Sequence, residues 1–202
     1  MADFSLEDSY PGQIVAGTDE AGRGPLAGPV IAAAVILPRP LPDTLLGLDD
    51  SKKLSTARRE TLAAVITQCA DWAVAGASAA EIDQLNILRA SLLAMRRATE
   101  RLKNNPAVLL VDGKFAPDVS FKTQCVIKGD SRSLSIAAAS ILAKVRRDQI
   151  MCRYDAMYPG YGFERHAGYP TKAHRAAIIA RGILPIHRRS FRLISQESVT
   201  IT

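Results

Sequence analysis

Ala107-Val-Leu-Leu-Val111 is a run of five apolar residues that stops at Asp112-Gly113. A strand-length run without polar alternation is buried on both faces, so other elements must cover both sides of its sheet. The same punctuation occurs earlier in the chain. Ile14-Val-Ala-Gly17 reads as the end of a buried strand and gives way to Asp19-Glu20, then to Gly22 and Gly24. Neighbouring strand residues point to opposite faces. These two acids therefore reach one site only where the strand ends and the backbone bends, and the glycines mark such a bend. A solvated turn is the competing reading of Asp19-Glu20 taken alone. Against it stand Gly22-Arg-Gly24 and a second strand-like run from Val30 to Leu37. A glycine-walled loop lets backbone N–H groups approach a ligand closely, with an arginine to neutralise an anion.

Taken in order, residues 1–12 read as a loose leading segment. The pattern predicts strands at about 13–19 and 28–37, the second ended by Pro38, Pro40 and Pro42, which lack the ladder N–H. A helix at about 56–70 follows, with Ser55 as its N-cap, then a weakly patterned strand from Asp71 to Ala77. Ser78 to Lys103 reads as helix broken near Asn86, with Leu85, Leu88, Leu92, Met95 and Leu102 as its apolar stripe. Strands at 107–111 and 123–127 precede a long helix, roughly 133–157, whose alanine-rich first half must be buried against the sheet. A last helix spans about 172–181. The expected class is α/β in one domain, with a core at about 13–157 and a small C-terminal helical part at 158–202.

The net charge of +6 and pI of about 9.4 point to a polyanionic partner. Cys69, Cys125 and Cys152 are odd in number and unclustered, which excludes a disulfide framework and a zinc knuckle. His166, His174 and His187 are too scattered for a transition-metal motif. The acidic N-terminus lacks an apolar signal region, and the longest apolar run is too short to cross a bilayer. A cytoplasmic protein is expected.

Asp19, Glu20, Asp112 and Asp130 all fall at strand ends or in the turns after them. In an open α/β sheet such ends gather in a crevice where ligands bind. Four like charges there raise each other's pKa values unless a cation neutralises them. Hard oxygen donors without His or Cys select Mg²⁺ or Mn²⁺. Two such ions clamp the attacking and leaving oxygens of a phosphodiester.

Seven blocks then carry a resemblance: Gly17-Thr-Asp-Glu-Ala-Gly-Arg-Gly-Pro25, Asp50-Ser-Lys-Lys-Leu-Ser55, Val111-Asp-Gly113, Lys128-Gly-Asp-Ser131, Ile136 to Asp148, His166-Ala-Gly-Tyr-Pro-Thr171 and His187-Arg-Arg-Ser-Phe191. Together, in this order, they resemble bacterial ribonuclease HII. The resemblance implies a ribonuclease H-like fold, with a five-stranded mixed sheet flanked by helices and a mobile C-terminal helical part. It also implies hydrolysis of the RNA strand of RNA–DNA hybrids, and incision 5′ of single ribonucleotides in duplex DNA. The ends left are a 3′-hydroxyl and a 5′-phosphate, and the protein is expected to work as a monomer with two Mg²⁺ or Mn²⁺ ions.

By the same resemblance, Asp19, Glu20, Asp112 and Asp130 bind the metals. Gly22, Arg23 and Gly24 read the ribose 2′-hydroxyl, the atom that separates RNA from DNA. A Cβ at Gly24 is expected to obstruct that approach. Tyr169 packs against the deoxyribose just downstream, or else merely fills core or edge space. Lys52, Lys53 and Ser131 contact phosphate, although either lysine is equally a solvated loop charge. His166 lies near substrate, while His174 and His187 are structural and Lys144–Asp148 is a structural pair. The sister type, ribonuclease HIII, has lysine where Arg23 stands. The eleven residues after Phe191 hold no obvious sliding-clamp motif. Two other classes compete: an actin-like ATPase, which needs two such domains, and a hybrid-binding module, which has no need of four acids.

Overall fold

The computed structural model describes residues 2–52 and 54–193, so Lys53 and everything after Leu193 lie outside the described residues. Five strands make one mixed sheet: β1 Val15–Ala21, β2 Val30–Ile36, β3 Asp71–Ala77, β4 Val108–Asp112 and β5 Lys122–Val126. Their order across the sheet is β3-β2-β1-β4-β5. β1 pairs antiparallel with β2 and parallel with β4, β3 pairs antiparallel with β2, and β5 pairs parallel with β4. The fold is thus of the expected α/β class, a five-stranded mixed sheet with helices on both faces.

One face of the sheet is covered by α2 (Thr56–Cys69) and the 24-residue α5 (Leu134–Met157). Their core contains Ala33, Val35, Leu62, Ile66, Ala137, Ile141 and Leu142. The opposite face carries α3 (Ala79–Leu85) and α4 (Ile87–Thr99) over Ala32, Ala34, Ala75, Leu109 and Val111. Small residues on both partners let the helix backbones lie close to the pleat. Gly17 shows how close: a Cβ there would collide with the backbone of Ser135 and Ile136 at the start of α5.

Local signals explain the boundaries. Ser55 caps α2 by accepting from Arg58 N at 3.3 Å, and Ser78 with Glu81 forms a capping box on α3. The break lies where expected, at Asn86. Its φ of 67° interrupts the helix, and its side chain caps α4 by accepting from Arg89 N at 3.1 Å. The buried face of α4 is made by Ala90, Ala94, Met95 and Ala98. Leu85 and Leu88 of the expected stripe are only half-buried.

The leading segment is not loose. Ser5–Asp8 forms a helical turn, α1, and Glu7 is buried. Its Oε1 accepts from Ser133 Oγ at 2.7 Å and from Ser135 N at 2.9 Å, which satisfies donors at the α5 N-terminus. The run 1–12 looks loose because the reason for its order lies more than 120 residues away. At the other end, α6 (Phe163–His166) and α7 (Lys172–Arg181) pack through Phe163, Ile178 and Tyr161 onto Leu26, Ala27 and Met151. No helix among the described residues is long and apolar enough to cross a membrane.

Gly17→Ala is expected to lower stability by roughly 3 kcal/mol or more, since the added methyl meets backbone and not a yielding side chain. Urea denaturation monitored by circular dichroism measures this.

Candidate active site

β1 carries both leading acids within the strand, since it runs on to Ala21 and does not end at residue 19. Asp19 lies opposite Ala33 and Glu20 opposite Ala32, residues that belong to the cores on opposite faces. They meet because β1 outruns its neighbour. Pairing with β4 stops at Thr18–Val111, and the next residue of β4 is Asp112. Beyond that step the edge of β1 is open, and side chains from either face reach the notch above Asp112. Asp112 Oδ1 accepts from Gly129 N at 2.7 Å, which draws the Gly129–Ser131 turn, and with it Asp130, to the same place.

The electrostatics record this crowding. Burial pushes the Asp19 carboxyl well above the usual carboxylate range, and Glu20, Asp112 and Asp130 push it further. Burial likewise raises Glu20, partly offset by Arg23, whose Nη1 stands 3.1 Å from Glu20 Oε1. Asp130 is raised by burial and by Asp50 and Asp112. Lys52, largely exposed, places Nζ 3.9 Å from Asp130 Oδ2. Partial burial pulls its pKa down, but Asp50, Asp130, Asp19 and Asp112 outweigh this and hold it raised.

Whether these residues fit divalent cations is answered by two features. Among the described residues, the buried Glu20 Oε2 has no hydrogen-bond partner, an orphaned anionic oxygen of the kind that a hard cation satisfies. The donor set is all carboxylate, which is the Mg²⁺ and Mn²⁺ set. Among the described residues no three His, Cys, Asp or Glu side chains are gathered around one point as a finished metal centre. Arg23 and Lys52 engage two of the acids instead.

The glycine loop stands beside the acids. Gly22 has φ +97°, and a Cβ there would strike the Arg147 side chain. Gly24 lies outside the left-handed region, and a Cβ there would sit 3.4 Å from Tyr169 Cε1. Gly22, not Gly24, is the position that only glycine can fill. The Tyr169 ring thereby lies beside Gly24, and the residue is exposed. Ser131 Oγ donates to Lys128 O at 2.9 Å, inside the turn that carries Asp130. Lys144 and Asp148 form their pair at 2.7 Å.

The family model for Ribonuclease HII matches residues 16–194. The Ribonuclease HII of Paracoccus denitrificans is 55% identical over 194 residues, covering 94% of this chain and 91% of that protein. That of Coxiella burnetii is 55% identical over 190 residues, covering 93% of each. The chain belongs to the ribonuclease HII family. It is therefore a member of a family of metal-dependent endoribonucleases that cleave RNA in RNA–DNA hybrids. Among solved structures, ribonuclease H2 from Pyrococcus horikoshii OT3 aligns with a TM-score of 0.75 at 26% identity, covering 89% of this chain and 94% of that one. The RNase HII of Archaeoglobus fulgidus, solved in a complex with PCNA, aligns with a TM-score of 0.70 at 28% identity over 91% and 97%. Bst-RNase HIII in complex with Mn²⁺ shares the fold, with a TM-score of 0.73 at 21% identity over 94% of this chain and 70% of that one.

In this ribonuclease HII chain the structure adds residues that the sequence reading passed over. Asp50 lies close enough to Asp130 to push its carboxyl up, making a fifth carboxyl at the site. Only its place in the Asp50-Ser-Lys-Lys block hinted at this. Arg147 and Arg188 are fully buried and donate to backbone carbonyls. Arg147 reaches Pro29 O at 3.2 Å, Ala167 O at 3.0 Å and Ala27 O at 3.2 Å. Arg188 reaches Gly22 O at 2.6 Å, Arg23 O at 2.8 Å and Gly28 O at 3.0 Å. Burial, and Arg147 beside it, pull Arg188 down to about 9. The three histidines, scattered in sequence, are gathered in space, with His166 stacked on His174 at 4.5 Å between ring centroids. Both His166 ring nitrogens are taken, Nε2 by Tyr161 O at 2.8 Å and Nδ1 by Gly168 N at 3.1 Å. His166 thus shapes the turn that leads to Tyr169.

Asp19→Asn is expected to raise the melting temperature of metal-free protein at pH 8, by roughly 2–4 °C for each kcal/mol of repulsion relieved. The sign follows from the raised folded-state pKa. Stability is complete below the unfolded value and is lost as pH rises through the folded one, and the amide has no such loss. Asp112→Asn is expected to cut turnover roughly 10³-fold while leaving duplex affinity nearly unchanged, since a ligand is lost without added bulk. Single-turnover cleavage and equilibrium binding in Ca²⁺ read the two effects separately.

Proposed function

We propose that this enzyme, beyond cleaving the RNA strand of hybrids, incises duplex DNA 5′ of a single embedded ribonucleotide, leaving 3′-hydroxyl and 5′-phosphate ends. It works as a cytoplasmic monomer. Two Mg²⁺ or Mn²⁺ ions held by Asp19, Glu20, Asp112 and Asp130, when bound, supply charge neutralisation and activate the attacking water. The orphaned Glu20 oxygen and the raised Asp19 carboxyl support that assignment. Asp50 adds a further carboxyl beside Asp130, and Lys52 offers its ammonium to a neighbouring phosphate, as does Lys53, which lies outside the described residues. Ser131 contributes by fixing the Asp130 turn.

The shape supports a polymer substrate. Glu20 and Asp112 line only a shallow space of ≈ 20 Å³, with Arg23, Lys114 and Phe115, far below what encloses a small molecule. A duplex laid over an open notch, with a surplus of positive charge on the protein, suits that form.

The observation that carries junction reading is the Tyr169 ring lying against Gly24. The backbone of Gly22, Arg23 and Gly24 grips a ribose 2′-hydroxyl, while the exposed face of Tyr169 packs on the next sugar, which must lack that hydroxyl. His166 acts here through the turn and not by contact with the strand.

Tyr169→Ala is expected to lower kcat/KM roughly 10- to 100-fold on a DNA strand with one ribonucleotide, and much less on an all-RNA strand, where that packing is not available. Steady-state kinetics on both duplexes decide it. Equal losses would return Tyr169 to a purely structural role.

A further inference from the structure

Tyr169 sits in an irregular, glycine-flanked turn, so its position depends on what holds its backbone. Its N–H donates to His166 O at 2.8 Å. Its carbonyl accepts from Thr171 N at 2.8 Å and bonds His174 Nδ1 at 2.9 Å. The proton positions along the histidines follow from their backbone partners. Leu184 N donates to His187 Nδ1 at 2.9 Å, so the His187 proton is on Nε2. That Nε2 stands 3.1 Å from His174 Nε2, which must accept, leaving the His174 proton on Nδ1 to be donated to Tyr169 O. Both imidazoles are buried and neutral, one tautomer each, and Phe163 packs edge-on to His174 at 5.3 Å between centroids.

The residue after His187 holds the other half of the reading element. Arg188 takes the carbonyls of Gly22 and Arg23, while its N–H donates to Leu26 O at 2.8 Å. Gly28 N donates to Ile186 O at 2.9 Å, and Leu26 N to Gly168 O at 2.7 Å. One short segment, 186–188, is therefore hydrogen-bonded to the glycine loop directly and to Tyr169 through two imidazoles. Arg188 sets the loop and His187 sets the ring.

We propose that His187 and His174 are positioning residues for substrate selection, a two-histidine hydrogen-bond relay that fixes Tyr169 at its spacing from Gly22-Arg-Gly24. This rests on the reading of Tyr169 as the junction sensor. It goes beyond that reading in assigning discrimination between DNA and RNA at the downstream sugar to two buried side chains that never touch the strand. A relay with one allowed tautomer at each ring keeps Tyr169 from sliding, and sliding is what blurs a choice made by packing on one sugar.

His174→Phe preserves the ring and its stacking but removes both relay hydrogen bonds, whereas His174→Asn keeps a donor near the Nδ1 position. The expected result is a roughly tenfold fall in kcat/KM on the single-ribonucleotide duplex for His174→Phe, little change on the all-RNA hybrid, and substantial recovery in His174→Asn. In a Tyr169→Ala background, His174→Phe should add no further loss of selectivity, because the two act as one unit. His187→Gln, which retains a donor at the Nε2 position, should keep wild-type selectivity and serves if His174→Phe folds poorly. If Tyr169→Ala is selective for the junction substrate but His174→Phe weakens both substrates equally and additively, the relay is overturned and the Tyr169 reading stands. Equal losses on both substrates for Tyr169→Ala itself would overturn both.

Discussion

Mutual repulsion among buried carboxylates is the constraint on which this structure depends. Asp19, Glu20, Asp112 and Asp130 come from two strands and a turn, and each would be more comfortable alone in water. The sheet holds them together by a difference in length: β1 continues past the point where β4 stops. Gly17 lets the α5 N-terminus settle on β1, and Glu7 satisfies that terminus from the far end of the chain. The stability of the alanine-rich layers is what offsets the cost of crowding the charges.

Substrate reading is built on a different principle. The glycine loop and Tyr169 have few apolar contacts to fix them, so they are held by hydrogen bonds from buried cations and imidazoles. Arg147 and Arg188 give up solvation for six backbone carbonyls between them, ligands that carry no charge. Such an arrangement is expensive in desolvation but geometrically strict. The neutral histidines share that character. Burial pulls His174 down to about 4, so the stability it contributes is complete above about 6.5 and is lost as pH falls toward 4.

Strand identity was legible because Ala107–Val111 and Val30–Leu37 admit little else, and the caps at Ser55 and Asn86 announced themselves. The acids were legible because each follows a strand-like run near a glycine. What escaped was long-range. The order of residues 2–10 depends on Ser133 and Ser135, and the histidine cluster depends on how α7 folds back. The extension of β1 through Ala21 was missed because glycines read as a bend, whereas one edge of the strand simply loses its partner. That Gly22 has a positive φ and lies over the Arg147 side chain is equally invisible in the sequence. Asp50 was hidden in a polar turn that has no periodicity to read.

The account stands most directly on whether the crowded acids are a cation site. Melting temperature measured against Mn²⁺ concentration at pH 5.5 and pH 8, for wild type and Asp19→Asn, tests it. Ion binding to the folded state alone stabilises by mass action. Protons relieve the repulsion at the lower pH, so the metal-induced rise should be larger at pH 8 and strongly reduced in Asp19→Asn. A melting temperature indifferent to millimolar Mn²⁺ at both pH values, or an equal rise in Asp19→Asn, would contradict it.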